Sequence, residues 1–274
     1  MIPGGLLGPV GDLRHVMFTT AEPMSKPTRY ATRRTLAGGT RKQVLARPPR
    51  TWACEIEHDA PQEGQIVDQN EYWVASQRQQ VVWYPADALG TNMLDPEASL
   101  MDTSRWTKTS PGGARVLPLD HDAPRFMSSA ATFEDGTWAH LSDIPVPHGR
   151  TVTASVQVVP YEGQSAYFWV DELAIDGETI RVHKTNTTKA LNRLVHTFET
   201  LPNTVALTFG VSRAAGVALP CLTLTDRLMP WGVGRGCMAA TVEVTSREPL
   251  WTATDQHIYA AADRTSFSVE EIIP

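Results

Sequence analysis

Apolar and polar residues alternate in short runs along most of this chain, and turn-forming residues recur between the runs. At 51–56, Thr51, Ala53 and Glu55 interleave with Trp52, Cys54 and Ile56, so a strand there has one apolar face. Upstream, Gly38-Gly39 separates two extended runs, and glycine reaches the positive φ that a tight strand reversal needs. Pro48-Pro49 cannot donate to a ladder and ends the second run. The pattern predicts a hairpin over 29–45 followed by a third strand to about Glu57. Three short strands need a second layer. Two strands predicted near the far end, 238–244 and 265–272, are candidates for it; in the latter Phe267 and Val269 face away from Ser266, Ser268 and Glu270. We therefore expect 1–86 and 232–274 to build one discontinuous β domain, with a short strand or docked arm around 15–18.

Between the chain ends, strands are predicted at 105–109, 114–119, 137–141, 151–159, 166–175, 179–183, 193–200, 204–211 and 219–225. Val152, Ala154, Val156 and Val158 share one face of their strand, as do Leu222 and Leu224 of theirs, and Asp135-Gly136 and Asp176-Gly177 read as turns. The expectation is an all-β protein in which 87–231 forms an inserted antiparallel sandwich of jelly-roll type. One helix is predicted at 60–80, with Ile66, Tyr72, Trp73 and Val74 as its apolar stripe. A strand at 81–85 is stopped by Pro85, and the glycine-rich run at 232–236 reads as a flexible return loop.

Composition adds two constraints. Twenty prolines and 19 glycines spread over 274 residues favour many short strands over long helices. The net charge of −6 argues against sequence-specific nucleic-acid binding, yet residues 1–58 carry nine Lys or Arg against four acids, a local net of +5. Arg33, Arg34, Arg41, Lys42 and Arg47 either protect the hairpin edges or form a contact surface for an acidic neighbour. Three cysteines without CxxC spacing indicate reduced, buried thiols. The N-terminal run lacks the pattern of a signal peptide, and no window reaches the length of a membrane span, so assembly in a cytoplasm is expected.

Little in the chain signals catalysis. There is no GxSxG elbow, and GVGRG lacks the spacing and context of a phosphate loop, so neither a catalytic residue nor a cofactor is assigned and an enzyme is not expected. No pair of acids stands out for glycoside hydrolysis. Asp120-His121-Asp122 reads as a turn or a ligand cluster, and Asp95, Glu97 and Asp226 could supply oxygens to a structural calcium. Tyr167 and Trp169 lie on one face of a predicted strand, with Phe168 opposite and Trp106 and Trp138 near in sequence. These aromatics are either core residues or a platform on which sugar rings stack, Tyr167, Trp169 and Trp138 being the candidates.

Three stretches carry a resemblance: RRTLAGGTRKQVLARPPRTWACEI, VVWYPADALGTNMLDPEASLM and the closing RTSFSVEEI. Together they resemble minor tail or distal-tail-like proteins of siphophages that infect actinobacteria. The resemblance implies a structural ring at the virion tail tip, of six copies by the family's habit, joining the tail tube protein to the central tip and hub proteins. It also implies that the hairpin and the two C-terminal strands carry subunit contacts. An inserted galectin-like or carbohydrate-binding-module-like sandwich is common in that family, which makes attachment to host-surface glycans the alternative role.

Overall fold

The computed structural model describes residues 4–17, 20–24, 30–34, 40–44, 49–58, 61–76, 79–102, 105–108, 115–117, 130–132, 138–189, 191–253 and 258–272. In chain order the elements are β1 (Gly4–Pro9), β2 (Arg14–Met17), β3 (Thr20–Met24), β4 (Tyr30–Arg34), β5 (Thr40–Val44), β6 (Thr51–His58) and α1 (Pro61–Ala75). Next come β7 (Val81–Tyr84), α2 (Ala86–Thr91), α3 (Pro96–Ser99), β8 (Thr107–Lys108), β9 (Arg115–Leu117), β10 (Ala130–Thr132) and β11 (Trp138–Pro145). The remainder are β12 (Thr151–Pro160), β13 (Ala166–Leu173), β14 (Thr179–Thr187), β15 (Asn192–Glu199), β16 (Ala206–Ser212), β17 (Ala214–Thr223), β18 (Cys237–Ala253) and β19 (Ile258–Glu271). The protein is mostly β, with antiparallel sheets. It divides into two compact units, one of Met1–Pro3, Val16–Val81 and Ala239–Pro274, the other of Gly4–His15 and Val82–Met238.

In the first unit β18, β19, β6 and β3 are successive neighbours in one sheet. The predicted alternation in β6 holds: Trp52, Cys54 and Ile56 are buried, and the register sets Phe267 opposite Cys54 and Val269 opposite Trp52. Val242, opposite Val269 on β18, extends the apolar patch. The expected three-strand unit is corrected here. β4 and β5 form a separate two-stranded sheet, while β6 pairs with β3 on one side and β19 on the other. The C-terminal strands thus extend the sheet edgewise; the element packed against β6 and β19 is α1, whose Val67 is fully buried. The predicted helical stripe is also shifted, since Tyr72 is 56% exposed and Asn70 is buried. β18 and β19 run well beyond their predicted limits, because a ladder continues through Ser246, Arg247 and Glu248, where no apolar alternation marks it. At the other end of that ladder Arg50 holds Glu271 with two guanidinium hydrogen bonds, of 2.7 and 3.0 Å, while the Glu271 N–H donates to the Arg50 carbonyl at 2.8 Å.

The second unit is an antiparallel sandwich of two five-stranded sheets, ordered β15-β12-β17-β10-β9 and β14-β13-β16-β11-β8. Its core draws Val152, Ala154, Val156 and Val158 from one sheet, and Phe168, Val170, Phe209 and Val211 from the other. Leu6 of β1 and Val82 and Tyr84 of β7 join the same cluster, and the Tyr84 hydroxyl donates to the Pro145 carbonyl at 2.9 Å. Trp106 is core, its ring meeting Phe209 edge-on at 6.0 Å. The segment at 232–236 is not a flexible loop. Gly236 N–H donates to Leu94 O, Arg235 N–H to Asn92 O, and a Cβ on Gly236 would stand 1.8 Å from Met93 O. Its glycines allow two backbones to touch.

Candidate functional site

The site lies on the outward face of the β14-β13-β16-β11 sheet, and strand register builds it. Antiparallel pairing aligns Trp138, Ser212, Tyr167 and Asn186 in one row across the four strands. The next row is His140, Gly210, Trp169 and Lys184. Successive residues of a strand point to opposite faces. Ala166, Phe168 and Val170 therefore enter the core, while Tyr167, Trp169 and Asp171 stay partly exposed on the other side. Tyr167, Trp169 and Trp138, separated in sequence, share this one face.

Small residues between the aromatics shape the surface. Gly210 has no side chain, and the Trp169 indole fills the space, 2.2 Å from where a Cβ would sit. Trp138 meets Trp169 edge-on, with centroids 5.8 Å apart and planes at 66°, and keeps 53% of its area exposed. The pair offers a broad apolar surface on a sheet whose neighbouring strands lie about 4.8 Å apart. Tyr167 differs, because its ring is covered by cations: Lys184 Nζ lies 4.7 Å from the centroid and the Arg213 guanidinium carbon 5.8 Å. Tyr167 is an anchor for charge more than an open stacking surface.

Polar groups border the aromatics. Burial pushes the Asp171 carboxyl up, against a hydrogen bond from Trp169 and the nearby His140 and His183 that pull it down. Beneath the face, Glu172 is fully buried and accepts from Arg181 and His183 through one oxygen, and from Thr204 (2.6 Å) and the Leu201 N–H (2.9 Å) through the other. Burial alone would raise this carboxyl, but those donors together hold it below the usual carboxylate range. Glu172 thereby ties β14, which carries Lys184, to β13 and to the turn at 201–204.

The other candidates fare differently. Asp95 is the N-cap of α3, accepting from Ala98 N–H at 2.7 Å, and pairs with Arg105 at 2.5 Å. Its oxygens are thus committed to a helix and a guanidinium, whereas Asp226 is exposed beside Arg227. Among the described residues no group of three His, Cys, Asp or Glu is placed to hold a metal. Arg33, Arg34, Arg41 and Lys42 lie on β4 and β5, where Arg33 pairs in register with Arg41. Their side chains lie outside the described residues, as do Arg47, Gly38-Gly39, the Asp120-His121-Asp122 run and Asp135-Gly136.

Sequence reasoning missed Gly210, His140, Asp171, Lys184 and Arg213. Gly210 was open to detection, since a glycine inside a strand pattern marks close approach of a neighbour. The others carry no local signal. Only register brings them together.

No family model and no curated protein matches the chain. Among solved structures, it is similar to the enzymatically active domain of tailspike protein 4 of bacteriophage CBA120 (15% identity, 49% of this chain and 21% of that one, TM-score 0.38). It is also similar to the CBM22-1 xylan-binding domain from Paenibacillus barcinonensis (16% identity, 51% and 97%, TM-score 0.35). A third is a carbohydrate-binding module of the β-sandwich superfamily (12% identity, 80% and 84%, TM-score 0.32). The match thus spans about a fifth of the tailspike domain's length.

Proposed function

We propose that the sandwich binds a polysaccharide across the β11-β16-β13 face. The observation that carries this reading is the half-exposed Trp138 set against Trp169, which lies over Gly210 on an open sheet. A pyranose ring presents a flat face of C–H groups, which buries apolar area against an indole at little entropic cost. Asn186, His140 and Asp171 sit within one or two strand spacings of Trp169 and provide donors and acceptors for ring hydroxyls. Binding here needs no cofactor and breaks no bond. The test is retention of the full chain on a panel of immobilised polysaccharides, beside the Trp138→Ala variant. Retention lost in a variant that melts like the parent supports the reading; equal retention of both proteins refutes it.

A second reading, a ring component of a phage tail tip, follows from the resemblance and is favoured by one observation. β19, from the end of the chain, pairs with β6 from near its start, which places β18, β19, β6 and β3 in a single sheet. Both roles can reside in one chain, the split unit assembling and the sandwich touching host-surface glycans. Light scattering with and without tail extract tests assembly. A closed ring, or recruitment into one by tail components, supports it, and a monomer indifferent to them refutes it.

A further inference from the structure

The cations beside the platform point to a narrower ligand class. We propose that this face selects an anionic pyranose chain, its carboxylate or phosphate held by Lys184 and Arg213 beside Tyr167; the inference rests on the sugar-binding reading of the same face. Elsewhere in the sandwich unit, arginines near acidic side chains are consumed by them: Arg181 by Glu172, Arg105 by Asp95 and Arg235 by Asp87. Lys184 and Arg213 instead lie over the Tyr167 ring, and among the described residues neither pairs with a carboxylate. A cation resting on a ring face keeps N–H donors pointing away from it, available to an anion.

The backbone supports the same assignment. Arg213 alone separates the end of β16 at Ser212 from the start of β17 at Ala214, and it holds φ of 53°. That left-handed conformation is disfavoured for an arginine and suits glycine. Among the described non-glycine residues with positive φ (Met101, Asp143, Leu191, Arg213 and Leu219), Arg213 is the one that carries a cation. A strained residue at a candidate site is a pointer to function when its side chain reaches that site, and this guanidinium reaches Tyr167.

Charge is also graded along the face. Lys184 stands opposite Trp169, and Asp171 lies on β13 four residues beyond Tyr167, about 13 Å at strand rise. One end is cationic and the other acidic, so an acidic sugar seated on Trp138 and Trp169 is drawn toward the Tyr167 end.

The experiment titrates the full chain with polygalacturonate, with its fully methyl-esterified form, with phosphomannan and with neutral xylan, at low and high salt. Esterification removes the carboxylate charge and keeps the ring. The expected result is at least tenfold tighter binding to polygalacturonate than to its ester, or to phosphomannan than to xylan. The advantage should vanish in Lys184→Gln and Arg213→Gly and shrink as salt rises. Preference for one of the two polymers tells a carboxylate from a phosphate ligand. Arg213→Gly relieves a left-handed arginine, so it should melt no lower than the parent, which separates lost binding from lost folding. Equal affinity for charged and neutral chains, unchanged in both variants but lost in Trp138→Ala, overturns the charge selection and leaves the sugar site standing. Absence of binding to every polymer overturns both.

Discussion

Trp169 lies across Gly210 so closely that the glycine has no room for a methyl group: a Cβ would fall 2.2 Å from two ring atoms. Gly210 itself does not need a positive φ. Alanine is therefore tolerated by the backbone and rejected by the indole. In Gly210→Ala the Trp169 ring must lift from the sheet, and its contact with Trp138 opens. We expect a stability loss of about 1 kcal/mol, the low end for an overpacked site that can relax toward solvent. Polysaccharide affinity should fall at least tenfold, measured by titration calorimetry beside thermal melting.

Glu172 makes a second prediction. It is buried without exposure and receives hydrogen bonds from two side chains of β14 and from Thr204 and Leu201. Glu172→Gln keeps the shape and removes the charge that Arg181 faces, and should cost about 3 kcal/mol, read as a denaturant midpoint shift.

The same residue governs acid stability. Its folded-state pKa is depressed, so its contribution is complete above the unfolded value of about 4.3 and drains away as pH falls through the folded value. His196 acts earlier. Burial, and the nearby His183, depress its pKa against a hydrogen bond to the Phe168 carbonyl. The unfolded chain then binds the extra proton below about pH 6.5, and stability declines from there. A melting series over pH should show two descents, and Glu172→Gln should lose the lower one while keeping the upper.

Asn92 is the hub between 92–95 and the strands that follow. Its amide donates to the Pro220 and Gly232 carbonyls, both at 3.0 Å, and its oxygen accepts from Leu94 and Leu222 N–H at 3.2 and 3.1 Å. Asn92→Ala leaves these buried groups unmatched and should cost about 3 kcal/mol, at the upper end for orphaned polar groups. Asn92→Asp should also destabilise, since a carboxylate cannot donate to either carbonyl.

The fold was legible wherever burial imposed a period. The alternations at Trp52 to Ile56, Val152 to Val158 and Phe267 to Val269 each correspond to a strand with those residues buried. Gly177 turns β13 into β14 with φ of 83°, as Asp176-Gly177 suggests. The pattern failed where hydrogen bonds act without burial, as at Ser246, Arg247 and Glu248 of β18, and where helices are too short for a period, as in α2 and α3. Within the site, the stretch from Tyr167 to Trp169 advertised two outward aromatics. Lys184 and Arg213 became neighbours of Tyr167 only through pairing of β13 with β14 and the turn after β16.

The cysteines give a chemical check on the cores. Burial pushes the Cys54 thiol up to about 12 and the Cys221 thiol to about 11, and Cys237 is buried as well. Thiolate is the reactive form. At pH 8 a thiol reagent should leave the native protein unlabelled and modify three sites after denaturation.

The central claim is that sugar binds on the Trp138–Trp169 face, and indole N–H signals read it most directly. The chain has eight tryptophans, each giving one signal in a 15N-labelled sample once assigned by single substitutions. Titration with a bound polysaccharide fragment should shift the Trp138 and Trp169 signals and leave the core residues Trp52, Trp83 and Trp106 in place. Shifts confined to other tryptophans, with Trp138 and Trp169 unmoved at saturation, would contradict the account.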